Sequence, residues 1–152
     1  MEKLDFSIKR ISPREPHLID QMLDVFAAVF GDAATYSGQR PSRDYTRRVL
    51  QSESFVGLVA LHGAQVIGGL TAYELVKCER ECSGFHIHEL AVEERHRRVG
   101  VATGLILALK PIAAARGAKL IFIQTNYGDD PAIALYTKLG KREDILHFEI
   151  AV

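Results

Sequence analysis

A chain of 152 residues with 47% apolar and 25% charged residues has the size and composition of one globular domain whose core needs no disulfides or metals. Lys plus Arg balance Asp plus Glu at 19 each, so the formal net charge is zero; this argues against a general nucleic-acid binder and leaves electrostatic recognition to local clusters. No apolar run is long enough to cross a bilayer, the start Met1-Glu2-Lys3-Leu4-Asp5 lacks the apolar core of a signal peptide, and cytoplasmic residence is expected.

Ser7 to Ile11 reads as a short first strand. Leu18-Ile19, Met22-Leu23, Val25-Phe26 and Val29-Phe30 recur at helical spacing, which predicts an amphipathic helix over 16–30, stopped by Gly31. Gly31 to Pro41 reads as a loop, and Ser42 as the N-cap of a helix reaching about Gln51. Phe55 to Leu61 and Gln65 to Leu75 are strands joined by the turn His62-Gly63-Ala64. A polar loop, Lys77 to Ser83, precedes a strand over Phe85 to Val92. Glu93 to Val99 is a charged connection, and Gly100 to Arg116 a helix that Pro111 should kink or end early. Leu120 to Thr125 is a continuous apolar run of the kind buried on both faces of a sheet. Pro131 to Leu139 is a helix with proline at its first position, closed by Gly140, and Leu146 to Val152 is a last strand. The order β-α-α-β-β-β-α-β-α-β describes a single α/β domain with a mixed sheet, because hairpins need antiparallel pairs and the later β-α-β needs a parallel one.

Cys78 and Cys82 flank Glu79-Arg80-Glu81. With His86 and His88 they could make a zinc set, or they are two ordinary loop thiols. The histidines lie in a strand pattern, and no metal site is expected.

The most informative stretch is Leu90-Ala91-Val92-Glu93-Glu94-Arg95-His96-Arg97-Arg98-Val99-Gly100-Val101-Ala102-Thr103, where a strand gives way to a basic turn and then a helix. A helix start offers unpaired N–H groups and the positive end of its dipole, which together suit an anion. Gly100 and the small Ala102 let backbone approach an oxyanion closely, and Arg97 and Arg98 add charge. A solvated basic turn is the other reading of the same residues. The glycine pattern of neither a Walker loop nor a dinucleotide fingerprint is present.

Arg97-x-x-Gly100-x-Ala102 after Leu90-Ala91-Val92 resembles the acetyl-CoA motif of the GNAT acetyltransferase superfamily, and the element order resembles that fold over essentially the whole chain. The resemblance implies a mixed sheet with a splayed central cleft, flanked by about four helices. It implies acetyl-CoA as acetyl donor, its pantetheine arm bonded to the strand backbone at Leu90, Ala91 and Val92, and its pyrophosphate on the loop Arg97, Arg98, Val99, Gly100, Val101, Ala102 and Thr103. Asn126, Ala132, Tyr136 and Lys138 resemble the second family signature, which flanks the cofactor and puts a tyrosine beside its sulfur; Tyr136 is thereby expected to be the leaving-group acid.

The stretches Gly31 to Tyr36, Tyr127 to Ala132 and His147 to Ile150 are similar to aminoglycoside 3-N-acetyltransferases that act on gentamicin. In those enzymes Asp is expected where this chain has Glu89, and aromatic residues where it has His86 and His88. The resemblance implies a polycationic amine as acceptor, with acetyl transferred to its 3-amino group by direct attack in a ternary complex.

Amine acetylation needs a group to take the proton of the attacking amine, a donor for the developing oxyanion, and positioning. Glu89, alternating with Ile87 and Ala91 and so expected on their face, can bind the ammonium or relay its proton, or can be a strand-edge charge. Asp130 is expected to N-cap the helix that follows, while Asp129 joins Glu89 in an acidic mouth. Asp130 is also a candidate for that wall, and Asp32, Tyr36, Glu79, Glu81 and Glu149 are weaker ones. The competing functions are acetylation of another amine (a polyamine, a protein N-terminus or a lysine) and a non-catalytic sensor of CoA thioesters. A homodimer is possible through the apolar face of the last strand.

Overall fold

The computed structural model describes residues 3–152. Five strands lie in the order in which the chain makes them: β1 (Ser7–Arg10), β2 (Phe55–His62), β3 (Gln65–Val76), β4 (Ser83–Val92) and β5 (Ala118–Ile123). The first three junctions are antiparallel and the β4–β5 junction is parallel, as the long helical crossover between them requires. The helices are α1 (Pro16–Phe30), α2 (Ala33–Tyr36), α3 (Arg43–Gln51), α4 (Val101–Ala115) and α5 (Asp130–Leu139). The mixed sheet is open, and the architecture is the GNAT-like α/β fold.

Apolar side chains of the two strand faces make two cores. One face carries Leu58, Ile67, Leu70, Phe85 and Ile87 against Leu105 and Leu109 of α4, with Leu135 and Tyr136 of α5 packed alongside. The other carries Val59, Val66 and Ala91 against Met22, Val25 and Phe26 of α1 and Leu50 of α3. Close approach of α1 to the sheet depends on Gly69, where a Cβ would overlap the Met22 side chain.

Four elements differ from the sequence reading. The expected loop over 31–41 contains the one-turn helix α2, started by Asp32, whose carboxylate accepts the Thr35 N–H at 3.1 Å. Pro111 does not end α4 early, since the helix runs on to Ala115; the carbonyl that loses its partner is that of Leu107, a residue 48% exposed, so water can serve it. The apolar run of β5 is an edge strand and not one buried on both faces, with Leu120 54% exposed. The reason is that the last expected strand does not form. Residues 141–152 have no regular secondary structure and no strand pairing among the described residues, and Leu146 is 84% exposed. The start of this segment is tied to the turn before α5: Asp144 accepts from the Tyr127 hydroxyl at 3.0 Å and from Arg142 at 2.9 Å.

At the opposite end of the cleft strands a buried carboxylate locks three elements together. Glu74 near the end of β3 accepts the Ser83 hydroxyl at 2.8 Å and the Arg116 guanidinium at 2.8 and 3.2 Å, joining the start of β4 and the end of α4. Arg116, then Ser83, hold its carboxyl below the ordinary value of 4.5. Because the folded value is the lower one, the carboxylate stabilises the fold above about pH 4.5 and loses that contribution as pH falls through the folded value. Glu74→Gln should cost roughly 2 kcal/mol at neutral pH and flatten the acid limb of stability; urea unfolding from neutral to acid pH reads both, and an unchanged acid limb would remove Glu74 from it.

Candidate active site

The site begins with a one-residue irregularity in β4. Thr71 of β3 faces Glu89 while its neighbour Ala72 faces Ile87, so His88 is skipped in the ladder. The bulge resets the alternation. Ile87, Leu90 and Val92 pack in the α4 core, whereas Ala91 packs in the α1 core and Glu89 meets Tyr36 of that same side. Glu89 therefore shares a face with Ala91 but not with Ile87, contrary to the simple alternation expected from sequence.

Glu89 is held, not free. The Tyr36 hydroxyl donates to its Oε1 at 2.7 Å, and Tyr36 itself sits edge-on to Phe26 with ring centroids 5.9 Å apart. Arg40 pins the Tyr36 backbone by donating from Nε to its carbonyl, while its other nitrogens reach the Asp20 carbonyl at 3.0 Å and the Asp24 carboxylate at 2.6 Å on α1. The network runs from α1 through Arg40 and Tyr36 to the cleft. Burial, then the hydrogen bond and charge of Glu89, then the charge of Asp32, raise the Tyr36 hydroxyl far above its ordinary value, so it stays a donor. Burial and the Glu89 charge also raise Tyr73. Thr71, directly across from Glu89, has a buried hydroxyl with no partner among the described residues. Beyond them His86 stacks on Phe122 at 4.7 Å, and burial, then His88 and His147, lower its pKa, favouring a neutral ring.

The cleft opens where β4 outlasts β5. Their pairing ends at Ile87↔Ile123, and Glu89 to Val92 continue without a strand on that side. The backbone polar groups that these residues turn away from β3, the Val92 carbonyl excepted, have no strand partner and can meet an extended ligand. After β4, Glu93 organises a 3₁₀ turn (Glu94–His96) by accepting from Arg95 at 3.1 Å and bonding His96 at 2.9 Å. Arg97 donates from Nε to the Val92 carbonyl at 3.1 Å and so braces the loop against the strand. Arg98 has φ of 63°, unique among the described non-glycine residues, and Gly100 has φ of 91°. No side chain caps α4, and its first N–H groups, on Val101, Ala102 and Thr103, have no helical partners. A Cβ on Gly100 would meet nothing within 4 Å, so the space before the helix is open. An uncapped positive helix end, an open approach and adjacent arginines suit a diphosphate, and the loop fits the cofactor motif.

On the far side of the cleft, α5 starts at Asp130 with Pro131 second, one residue before the expected start. Asp129, rather than Asp130, is the N-cap: its Oδ1 accepts the Ala132 N–H at 3.4 Å and its Oδ2 the Thr125 hydroxyl at 3.3 Å. The reason is that the helix begins earlier, which makes Asp130 a first-turn residue. The Asn126 carbonyl accepts the Asp129 N–H at 3.3 Å, closing the turn before α5, and Lys138 lies exposed in its last turn. Tyr136 is half-buried against the α4 core; burial, then the Asp129 charge, push its hydroxyl up to about 12.

The fold thus brings Glu89, Tyr36 and Asp32 together on one side and Asp129 and Tyr136 on the other, with the α4 loop at the end of β4. Glu149 lies on the C-terminal tail with its carboxylate 3.6 Å from His147, whose charge reaches His86 of β4. Arg40, Thr71 and Tyr73 escaped the sequence reading, and no local pattern marks them. Among the described residues no group of three or more His, Cys, Asp or Glu could hold a metal ion, and both cysteines are free.

Comparison with known proteins agrees with the fold. Residues 19–141 match the Acetyltransferase (GNAT) family. An aminoglycoside acetyltransferase from an uncultured soil metagenomic sample is 47% identical and superposes with a TM-score of 0.95 over 97% of this chain and 99% of its own. A second aminoglycoside acetyltransferase from such a sample, solved in complex with sisomicin, is 26% identical with a TM-score of 0.89 over 97% of this chain and 96% of its own. An N-alpha-acetyltransferase of Sulfurisphaera tokodaii is 36% identical over 59 residues, 38% of this chain and only 35% of that protein. A cleft strand opened beside an uncapped helix start, matched by a family model over most of the chain, makes this protein a member of the GNAT acetyltransferase family.

Proposed function

We propose that this acetyltransferase moves an acetyl group from acetyl-CoA to the 3-amino group of an aminoglycoside antibiotic, by direct attack in a ternary complex, and so confers resistance. The observation that carries the reading is the Glu89 carboxylate, fixed by Tyr36 at the mouth of the opened strand edge. The two aminoglycoside acetyltransferases of similar fold support the acceptor class.

Acetyl-CoA supplies the acetyl group activated as a thioester. The first N–H groups of α4, with Arg97 and Arg98, would hold its pyrophosphate, and the Leu90 to Val92 backbone its pantetheine arm, flanked by Asn126, Ala132 and Lys138. Glu89 attracts the acceptor's ammonium and takes its proton directly or through water, leaving a free amine lone pair. Tyr36 and Arg40 keep the carboxylate in one orientation, which lowers the entropy cost of that encounter. Asp32 and Asp129 add negative potential for the other amines of a polycation, and salt would weaken that part of the attraction. Asp130 and Glu149 remain candidates for this wall by resemblance alone.

Tyr136 retains its proton at any working pH, with a hydroxyl at about 12. A thiol titrates near ~8.5, so complete proton transfer from Tyr136 to a thiolate is uphill. The role that fits is a hydrogen-bond donor that stabilises negative charge on the departing sulfur.

A second reading keeps the chemistry and changes the acceptor to a protein N-terminal amine; the partial match to an N-alpha-acetyltransferase favours it. Thiol release from acetyl-CoA, followed with gentamicin, kanamycin, spermidine and an N-terminal peptide, separates the two. Release with the antibiotics and a product acetylated on the 3-amino group is expected, and turnover of the peptide alone would discard the aminoglycoside.

Three substitutions test the parts. Gly100→Glu places a like charge in the space before α4 and strains the left-handed backbone, so the Kd for CoA measured by calorimetry should rise at least ~10-fold. In Glu89→Gln, kcat/KM for the amine should drop ~100-fold, with part of the loss recovered at higher pH where the free amine is abundant. For Tyr136→Phe, kcat should fall ~10-fold or more with KM nearly unchanged; an unaltered kcat would deny the hydroxyl its role.

A further inference from the structure

At the level of the cleft β4 carries one residue more than β3, and His88 is the residue left outside the ladder. On a regular strand His88 and Glu89 would point to opposite faces. Here they do not. The His88 ring stands edge-on to Tyr73 with centroids 6.0 Å apart and to His86 at 5.8 Å. Tyr73 faces His86 across the ladder and lies against Phe55 of the α1 core at 5.4 Å, so this row belongs to the α1 side of the sheet. Glu89 meets Tyr36 on that same side, and after burial its charge is the largest influence on the Tyr73 hydroxyl. Two consecutive residues, His88 and Glu89, therefore look to the α1 side, and Tyr73 borders both. The bulge has put an imidazole beside the carboxylate at the mouth of the cleft.

The two groups are held differently. Glu89 Oε1 is occupied by the Tyr36 hydroxyl at 2.7 Å, whereas His88 is exposed and its ring meets solvent. The groups that face His88 are Tyr73 of β3 and, on its own strand, His86 and Glu89. Beyond them Tyr45 of α3 acts on Tyr73, His147 of the C-terminal segment acts on His86, and Phe122 of β5 stacks on His86. Burial, then His88 and His147, lower the pKa of His86, so the two neighbouring imidazoles do not charge together. An ammonium must lose a proton before it attacks a thioester, and whatever receives the proton must be cleared before the next turnover. Carboxylic acids titrate near ~4.3 and alkylammonium groups near ~10.4, with imidazole between them at ~6.5. We propose that His88 is the second carrier of that proton: Glu89 takes it from the acceptor's ammonium, a water passes it from the Glu89 carboxyl to a ring nitrogen of His88, and His88 releases it to solvent. One proton leaves the ammonium, the amine keeps its lone pair for the thioester carbonyl, and Glu89 and His88 end each turnover as they began. The inference rests on Glu89 as the first acceptor of the proton in the function proposed above.

Two substitutions of His88 in the full chain test it. His88→Phe keeps an aromatic ring against Tyr73 and His86 but removes the nitrogens, and His88→Gly opens room for a free imidazole. They are assayed with acetyl-CoA and gentamicin (or the N-terminal peptide, if that is the acceptor turned over). Both should lose kcat ~10-fold or more while KM for the acceptor and Kd for CoA stay within about twofold. Imidazole added at fixed pH and ionic strength should restore most of the loss in His88→Gly and none in His88→Phe. An unchanged kcat in both variants would overturn the proposal. So would a loss confined to KM, or one that imidazole does not repair in His88→Gly, since those are the results of a packing or binding role. Glu89→Gln run in parallel separates the two readings. If it loses kcat while the His88 variants keep theirs, the relay alone falls; if it keeps kcat, Glu89 is not the first acceptor and the relay falls with it.

Discussion

Strand β4 has neighbours on both sides over its first half and on one side only over its second. Its pairing with β5 stops at Ile87, while its pairing with β3 runs on to Val92. A backbone edge left open inside a sheet is costly unless something else satisfies it, and the rest of the candidate site is arranged around that edge. The α4 loop lies at its end, α5 comes back past its open side, and the bulge at His88 turns Glu89 toward α1. If β5 followed β4 to its end, the polar groups of Glu89 to Val92 would be used in the ladder, and no extended ligand could lie between the strands.

The charge distribution follows the same division. A chain with zero formal net charge concentrates opposite signs at two ends of one cleft. Arg97 and Arg98 gather at the uncapped start of α4, where the helix dipole already favours anions. Glu89, with Asp32 nearby, faces the α1 side, where its field is felt by Tyr36 and Tyr73. An anion and a cation are thus favoured at different parts of the site without a large overall charge. Arg40 matters here though it touches neither end: it fixes the turn that carries Tyr36, and Tyr36 fixes Glu89.

Much of this was legible along the chain, and the parts that were not share a cause. The helices over Pro16–Phe30 and Arg43–Gln51 and the loop entering α4 are marked by local periodicity, caps and glycine, which act within a few residues. The bulge at His88 has no such marker, because it is a relation between β3 and β4; simple alternation therefore put Ile87 on the wrong face. The proline after Asp130 marks that residue as the cap, yet Asp129 serves, since the helix starts one residue earlier. The apolar run of β5 and the alternating tail were both read as strands from composition; β5 became an edge and the tail stayed unpaired, because pairing depends on what lies alongside.

By itself the sequence determined the order of elements from β1 to α5 apart from the one-turn α2, and a glycine-bearing, arginine-rich turn able to present backbone N–H groups to an anion. These follow from spacing and residue type, which act locally. Only the tertiary structure decided that β4 outlasts β5, that Tyr36, braced by Arg40, reaches across 53 residues of chain to orient Glu89, and that the last segment has no strand partner among the described residues. Those outcomes depend on contacts between segments distant in sequence, where burial and the geometry of neighbouring elements outweigh local preference.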